Sequence, residues 1–207
     1  FIEWLVEILG PVLFSVKPSE LLSFPLCDSN THVKLGKIEE IFSKCQKISY
    51  EIFEYNKKSV KVMFYNPMLM DAVLRDQRNL RFLMQRGYPE RYKLQLYLNC
   101  LIQKMKEGNI PDEIGVFFGY PLKDVIGFIG HPSLKLTKVR GWRIYGNSRL
   151  SDLRYKEFVS AKSKMKTLLA RYSPQTIILT GLSKPLDMDA TMSVREGYAD
   201  MLNAFER

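Results

Sequence analysis

Residues 112–128 read DEIGVFFGYPLKDVIGF, in which four glycines or prolines stand among nine apolar residues. Backbone positions that favour Gly or Pro, beside side chains that demand burial, leave such a segment few ways to fold. Gly119-Tyr120-Pro121 is its break: Gly takes the left-handed position that ends one helix, and Pro suits the first turn of the next. Beyond the break Leu122, Val125, Ile126 and Ile129 fall at i, i+3, i+4 and i+7. That spacing predicts one face of a short helix, ended by Gly130-His131-Pro132. Gly-Tyr-Pro also stands at 87–89, after a predicted helix over 80–85. The flanks of the two copies differ, so the repeat is shared punctuation and not a duplicated unit.

Upstream, a helix is predicted over residues 2–9, with Trp4, Leu5, Ile8 and Leu9 on one side and Gly10-Pro11 ending it. Lys17-Pro18-Ser19 opens a short helical turn over 20–22. From Lys34, Leu35, Ile38, Ile41, Phe42, Cys45 and Ile48 recur at helical spacing. The period then changes to two. Runs 50–55 and 60–65 flank Asn56-Lys57-Lys58-Ser59, a hairpin signature. In the second run Val60, Val62 and Phe64 alternate with Lys61, Met63 and Tyr65, which predicts one core face and one partly wet face. Asn66-Pro67 starts a helix, and another covers 91–106 with Leu94, Leu98, Leu101 and Met105 inward. Downstream, strands are predicted over 135–139 and 142–145 around Arg140-Gly141. A basic helix over 150–170, a strand over 175–180 and a last helix over 190–205 follow. The expected fold is α+β, a small, mainly antiparallel sheet packed with several short helices. Residues 1–171 form one domain in this reading, and 172–207 a C-terminal extension.

A chain of 207 residues, 46% apolar, buries roughly 70% of its unfolded surface and needs neither metal nor disulfide for stability. Cys27, Cys45 and Cys100 are odd in number and form no Cys-x-x-Cys, which argues against zinc and for a reducing compartment. Cys45 and Cys100 fall on apolar helix stripes and read as buried thiols. The stretch FIEWLVEILGPVLFSV is interrupted by Glu3, Glu7 and Gly10-Pro11 and has no basic lead, so it reads as neither a membrane span nor a signal peptide. A soluble cytoplasmic protein is expected. The net charge of +9 is local: residues 131–171 hold eleven Lys/Arg against two Asp/Glu. A field of one sign steers acidic partners.

The central phrase resembles the signature of a clostridial-type family called domain of unknown function 3793. Its members carry a phrase close to HEIG-x-FLGYP-x-x-DV-x-GF and a later G-[YW]-W-K-V-Y strand. Here the phrase reads Glu113-Ile114-Gly115, Phe117-Phe118-Gly119-Tyr120-Pro121, Asp124-Val125 and Gly127-Phe128, and the strand reads Gly141-Trp142-Arg143-Ile144-Tyr145. Lys17-Pro18, the strand over 62–65 and Gly87-Tyr88 fit as well, so the resemblance spans about residues 1–170. Asp112 stands where members commonly have His, and Val139-Arg140 replaces a Cys often seen before the later strand. The resemblance implies an architecture, and carries no reaction with it. Through the family's surroundings it also implies a flavodoxin-type carrier as partner, in an iron or redox context.

Asp112-Glu113 reads as a cap and a dipole-favouring acid at a helix start, in preference to a general acid/base pair. Gly115 and Gly119 read as close-packing positions, since neither a G-x-G-x-x-G nor a P-loop lysine pattern is present. Trp142 with Tyr145 on a basic strand is able to stack a planar ligand, although core packing is commoner for strand aromatics. Tyr88 and Tyr120, each between Gly and Pro, read as packed rings with hydrogen-bonded hydroxyls in preference to phenols presented at a cleft. His32 and His131 sit in loops, and their spacing supports no metal or haem site. Three functional expectations stay open. The first is a non-catalytic binding or accessory protein that docks an acidic partner through Lys135, Lys138, Arg140, Arg143, Arg154, Lys162 and Lys166. The second is an enzyme or cofactor-binding protein with a motif pocket at Asp112, Glu113, Tyr120, Asp124 and Trp142. The third is nucleic-acid binding by the same basic strand and helix; no nucleic-acid-binding motif is present, and this ranks lower.

Overall fold

The computed structural model describes residues 1–180. Ten helices and five strands follow one another in the order α1 (Ile2–Ile8), α2 (Gly10–Leu13), β1 (Ser19–Pro25), α3 (Thr31–Phe42), β2 (Ser49–Tyr55), β3 (Ser59–Tyr65), α4 (Pro67–Arg75), α5 (Gln77–Gln85), α6 (Leu94–Glu107), α7 (Ile114–Phe117), α8 (Leu122–Ile129), β4 (Leu136–Arg140), β5 (Trp142–Tyr145), α9 (Arg149–Leu169) and α10 (Pro174–Thr180). The fold is α+β with two small antiparallel sheets. One has the order β1-β3-β2, and the other is the ribbon β4-β5. The expected helix over 190–205 lies outside the described residues.

The central strand explains the layout. β3 pairs with β1 from Ser19↔Tyr65 to Pro25↔Ser59 and with β2 from Ser49↔Tyr65 to Tyr55↔Ser59. Its alternating side chains feed two cores. Met63 and Tyr65 join Met70, Leu83, Tyr97, Leu101, Phe117 and Val125 on the face covered by α4–α8. Val62 and Phe64 join Leu5, Leu9, Ile38, Phe42, Met165 and Ile178 on the face covered by α1–α3, α9 and α10. The expectation of a partly wet face on 60–65 is therefore corrected: helices cover both sides, and Met63 and Tyr65 are buried. Lys61 accommodates this by laying its ammonium 4.3 Å over the Tyr55 ring, and burial pulls its pKa down.

Three further expectations change. Residues 20–22 belong to β1 and not to a helical turn, because β3 supplies the hydrogen bonds that the short segment cannot satisfy alone. Residues 175–180 lie in a helix and not in a strand. Pro174 opens it, Ser173 Oγ accepts from the Thr176 N–H at 3.2 Å, and Ile177 and Ile178 drop into the core beside α1 and α3. Trp4 is half exposed, since Leu5, Val6 and Leu9 form the inward side of α1. Both Gly-Tyr-Pro breaks place Gly in the left-handed region, at φ +85° for Gly87 and +73° for Gly119. Cys45 and Cys100 are half-buried, and Cys27 is exposed. No helix among the described residues is long and apolar enough to cross a membrane.

Candidate functional site

The segment 112–128 supplies α7, the second Gly-Tyr-Pro break and α8, and the ribbon and α9 close over it. Gly119 at the break is where the chain meets the start of the sheet. A Cβ there would stand 2.6 Å from Pro18 Cδ, so the close approach admits only hydrogen. Ser19 Oγ donates to the Phe117 carbonyl at 2.8 Å, and Asn66 N–H donates to the Pro18 carbonyl. Lys17 is drawn in beside them. Its ammonium lies over the rings of Phe118, Phe158 and Tyr120 at 5.2, 5.6 and 5.9 Å and donates to Glu20 at 2.7 Å. Ring faces and one carboxylate thus enclose the Lys17 side chain in a nearly closed place. Lys17 was not singled out as a site residue from the sequence; its signal was the Lys17-Pro18 pair within the family resemblance.

Asp124, 2% exposed, is the hub. Oδ1 accepts from Lys123 Nζ and from the Tyr145 N–H at 2.9 Å. Oδ2 accepts from Trp142 Nε1 at 2.8 Å and from Ser151 Oγ at 2.6 Å. Lys123 Nζ also donates to the Tyr145 carbonyl at 2.8 Å and to Ser151 Oγ at 2.9 Å. One carboxylate thus ties α8 to β5 and α9, and its four acceptor directions are used. That leaves Asp124 no lone pair for a substrate proton.

Asp112, Tyr120, Asp124 and Trp142 line one cleft of about 300 Å³, together with Phe128 and Arg143. Glu113 does not join them. It is buried on the other side of α7, where it accepts from Lys104 Nζ at 2.7 Å. The Tyr88 hydroxyl is buried nearby without a well-formed hydrogen bond, and burial together with the Glu113 carboxylate pushes its ionisation far up. The cap expected of Asp112 is corrected: α7 begins at Ile114 with Glu113 as its N-cap residue, and no side chain caps it. In the cleft the Tyr120 and Trp142 rings stack, centroids 4.4 Å apart and planes 14° off parallel. The stacking surface of Trp142 is spent inside the protein on that side. Burial, with Glu20 a smaller cause, pushes the Tyr120 phenol up to about 12. Tyr145 packs its ring on Gly127, where a Cβ would stand 2.4 Å away.

The basic residues divide. Lys138 Nζ donates to Asp152 at 2.8 Å, and Arg140 stands 3.9 Å from the same carboxylate with its guanidinium over the Tyr155 ring. Arg154 pairs with Glu157 at 3.0 Å, its side chain 11% exposed. These three are paired with acids of the same segment, although the Arg140 side chain stays half exposed. Lys135, Arg143, Lys162 and Lys166 remain exposed. Lys164 is exposed as well, and at two residues from Lys162 and Lys166 it lies across α9 from them.

Among the described residues, no three of His, Cys, Asp and Glu converge as metal donors. A larger groove of about 480 Å³ lies against the other side of α8, lined by Leu122, Ile126, Leu150, Arg78 and Arg154 among others. No sequence signal pointed to it, because its walls come from segments up to 78 residues apart, from Asp76 to Arg154.

No curated protein and no solved structure is detectably similar to this chain. A family model does match, that of the "protein of unknown function (DUF3793)" family, over residues 5–178. The match begins in α1, takes in both cores, the Pro18–Gly119 contact and the Asp124 hub, and ends in α10, so the chain belongs to that family.

Proposed function

We propose that this is a cytoplasmic, non-catalytic binding or accessory protein that docks an acidic partner protein through the exposed cations of residues 131–171. The observation that carries this reading is how charge is distributed within that segment. Its two acids are already consumed, Asp152 by Lys138 and Arg140 and Glu157 by Arg154. Of the eleven cations, the eight besides those three have no ion pair among the described residues. An uncompensated field of this kind speeds and orients encounter with an acidic surface. A flavodoxin-type carrier is the partner that the family resemblance suggests.

The test is binding to an acidic flavodoxin-type carrier across a salt series. Lys162→Glu/Lys166→Glu reverses one flank of α9, and Lys164→Glu the other. Reversal of the docking flank is expected to weaken binding tenfold or more at low salt, with the difference shrinking at high salt. Unchanged affinity in both variants removes the reading. Affinity for any polyanion, with a linear log–log salt dependence, would favour nucleic acid instead.

A second reading rests on the cleft that gathers Asp112, Tyr120, Asp124 and Trp142. It is a ligand or cofactor site, and a native mass spectrum with an extra mass that disappears on denaturation would support it.

A further inference from the structure

The groove on the far side of α8 is independent of the docking surface and of the aromatic cleft. At about 480 Å³ it falls in the size range of small-molecule sites. Its walls are aliphatic where Leu122, Ile126, Leu134 and Leu150 meet. Each of these side chains is half-buried, so an apolar occupant would remove exposed hydrocarbon from water.

The lining carries three cations, Arg78, Lys123 and Arg154, against one carboxylate, Asp76. That carboxylate is committed to capping α5, with Oδ1 accepting from the N–H groups of Arg78 and Asn79 at 3.0 and 3.2 Å. Lys123 spends its ammonium on Asp124, Tyr145 and Ser151. Arg154 is turned to Glu157. Arg78 differs. Its Nε forms a loose ion pair with Asp76 at 3.7 Å, beyond hydrogen-bond distance, its guanidinium donates no hydrogen bond among the described residues, and its side chain is half exposed. A guanidinium with open donors beside an aliphatic wall complements a carboxylate that carries a hydrocarbon body.

We propose that this groove binds a free, small amphipathic monoanion, with its carboxylate on Arg78 and its apolar body along Leu122, Ile126, Leu134 and Leu150. A phosphate-rich ligand fits less well, since the aliphatic wall offers its oxygens no donors. An amphipathic cation would leave Arg78 opposed by a like charge.

The test uses the whole chain with 1-anilinonaphthalene-8-sulfonate as fluorescent probe, and octanoate and octylammonium as competitors of matched tail and opposite charge. A single saturable site is expected, displaced by octanoate and at least tenfold less well by octylammonium. Arg78→Gln, on the exposed first turn of α5, is expected to weaken octanoate about tenfold with the thermal midpoint unchanged. Ile126→Trp, which fills the groove, is expected to abolish probe binding. A signal that does not saturate, equal displacement by both competitors, or unchanged octanoate affinity in Arg78→Gln would overturn the proposal. Co-sedimentation with phosphatidylglycerol vesicles that Arg78→Gln abolishes would also overturn it, in favour of a lipid surface.

Discussion

Asp124 shows what a buried charge costs and what it organises. A desolvated carboxylate is tolerated when every lone pair is answered, and here an ammonium, an indole N–H, a backbone N–H and a hydroxyl answer it. Asp124→Asn keeps the volume but turns an amide donor toward groups that are themselves donors, and it removes the countercharge of Lys123. Breaking a buried pair costs about 3–5 kcal/mol; Lys123 is 26% exposed and can turn to water, so about 3 kcal/mol is expected. Urea denaturation measures it, and a loss below about 1 kcal/mol would mean that water replaces the carboxylate. Gly119 is decided differently. Its positive φ already disfavours a side chain, and Pro18 stands in the way of one, so there the backbone conformation and the packing demand the same residue.

Elements that carry their own signal were legible, and those completed by distant partners were not. α8 announced itself by apolar spacing and its two breaks, and β2-β3 by a turn between alternating runs. β1 did not, because Leu21 and Leu22 interrupt alternation and its ladder comes from β3, some forty residues on. α10 was misread on its β-branched Thr-Ile-Ile run, although Ser173-Pro174 is a start signal that the pattern alone contains. The gathering of Asp112, Tyr120, Asp124 and Trp142 was legible as a motif. Its hub chemistry was not, since Lys123 and Ser151 looked unremarkable until β5 and α9 folded back. The ribbon itself is held to α9 by Asp152, whose carboxyl Lys138, then Ser148, hold below its ordinary value. A lowered folded pKa gives a contribution that is complete well above the unfolded value of about 3.9 and is lost as pH falls through the folded one. Amide protection in β4 and β5 is therefore expected to drop in acid below about pH 4. In Asp152→Asn it should already be reduced at neutral pH, with a flatter acid dependence. Identical hydrogen-exchange profiles in the two proteins would rule out Asp152 as the clamp.

At the scale of the molecule, two cores share one central strand, and a single helix runs past both. The first half of α9 gives Ser151 to the Asp124 hub and sets Tyr155 and Phe158 beside Trp142, at 6.2 and 6.0 Å between centroids. Its second half puts Met165 against Gly10, so close that a Cβ on Gly10 would stand 2.7 Å from the Met165 Cβ. Damage to one core should therefore reach the other. Met165 is 1% exposed, and Met165→Ala leaves a cavity worth about 2–5 kcal/mol in the core of α1–α3. The chain has two tryptophans, and Trp4 is half exposed, so Trp4→Phe makes Trp142 a reporter for the far half at little cost. In that background, the unfolding curve seen by Trp142 fluorescence is expected to coincide with far-ultraviolet circular dichroism. Met165→Ala should then move both curves to lower denaturant by the same amount. If the dichroism moves and Trp142 does not, the halves unfold separately, and α9 is a contact between two bodies instead of the strut that makes them one.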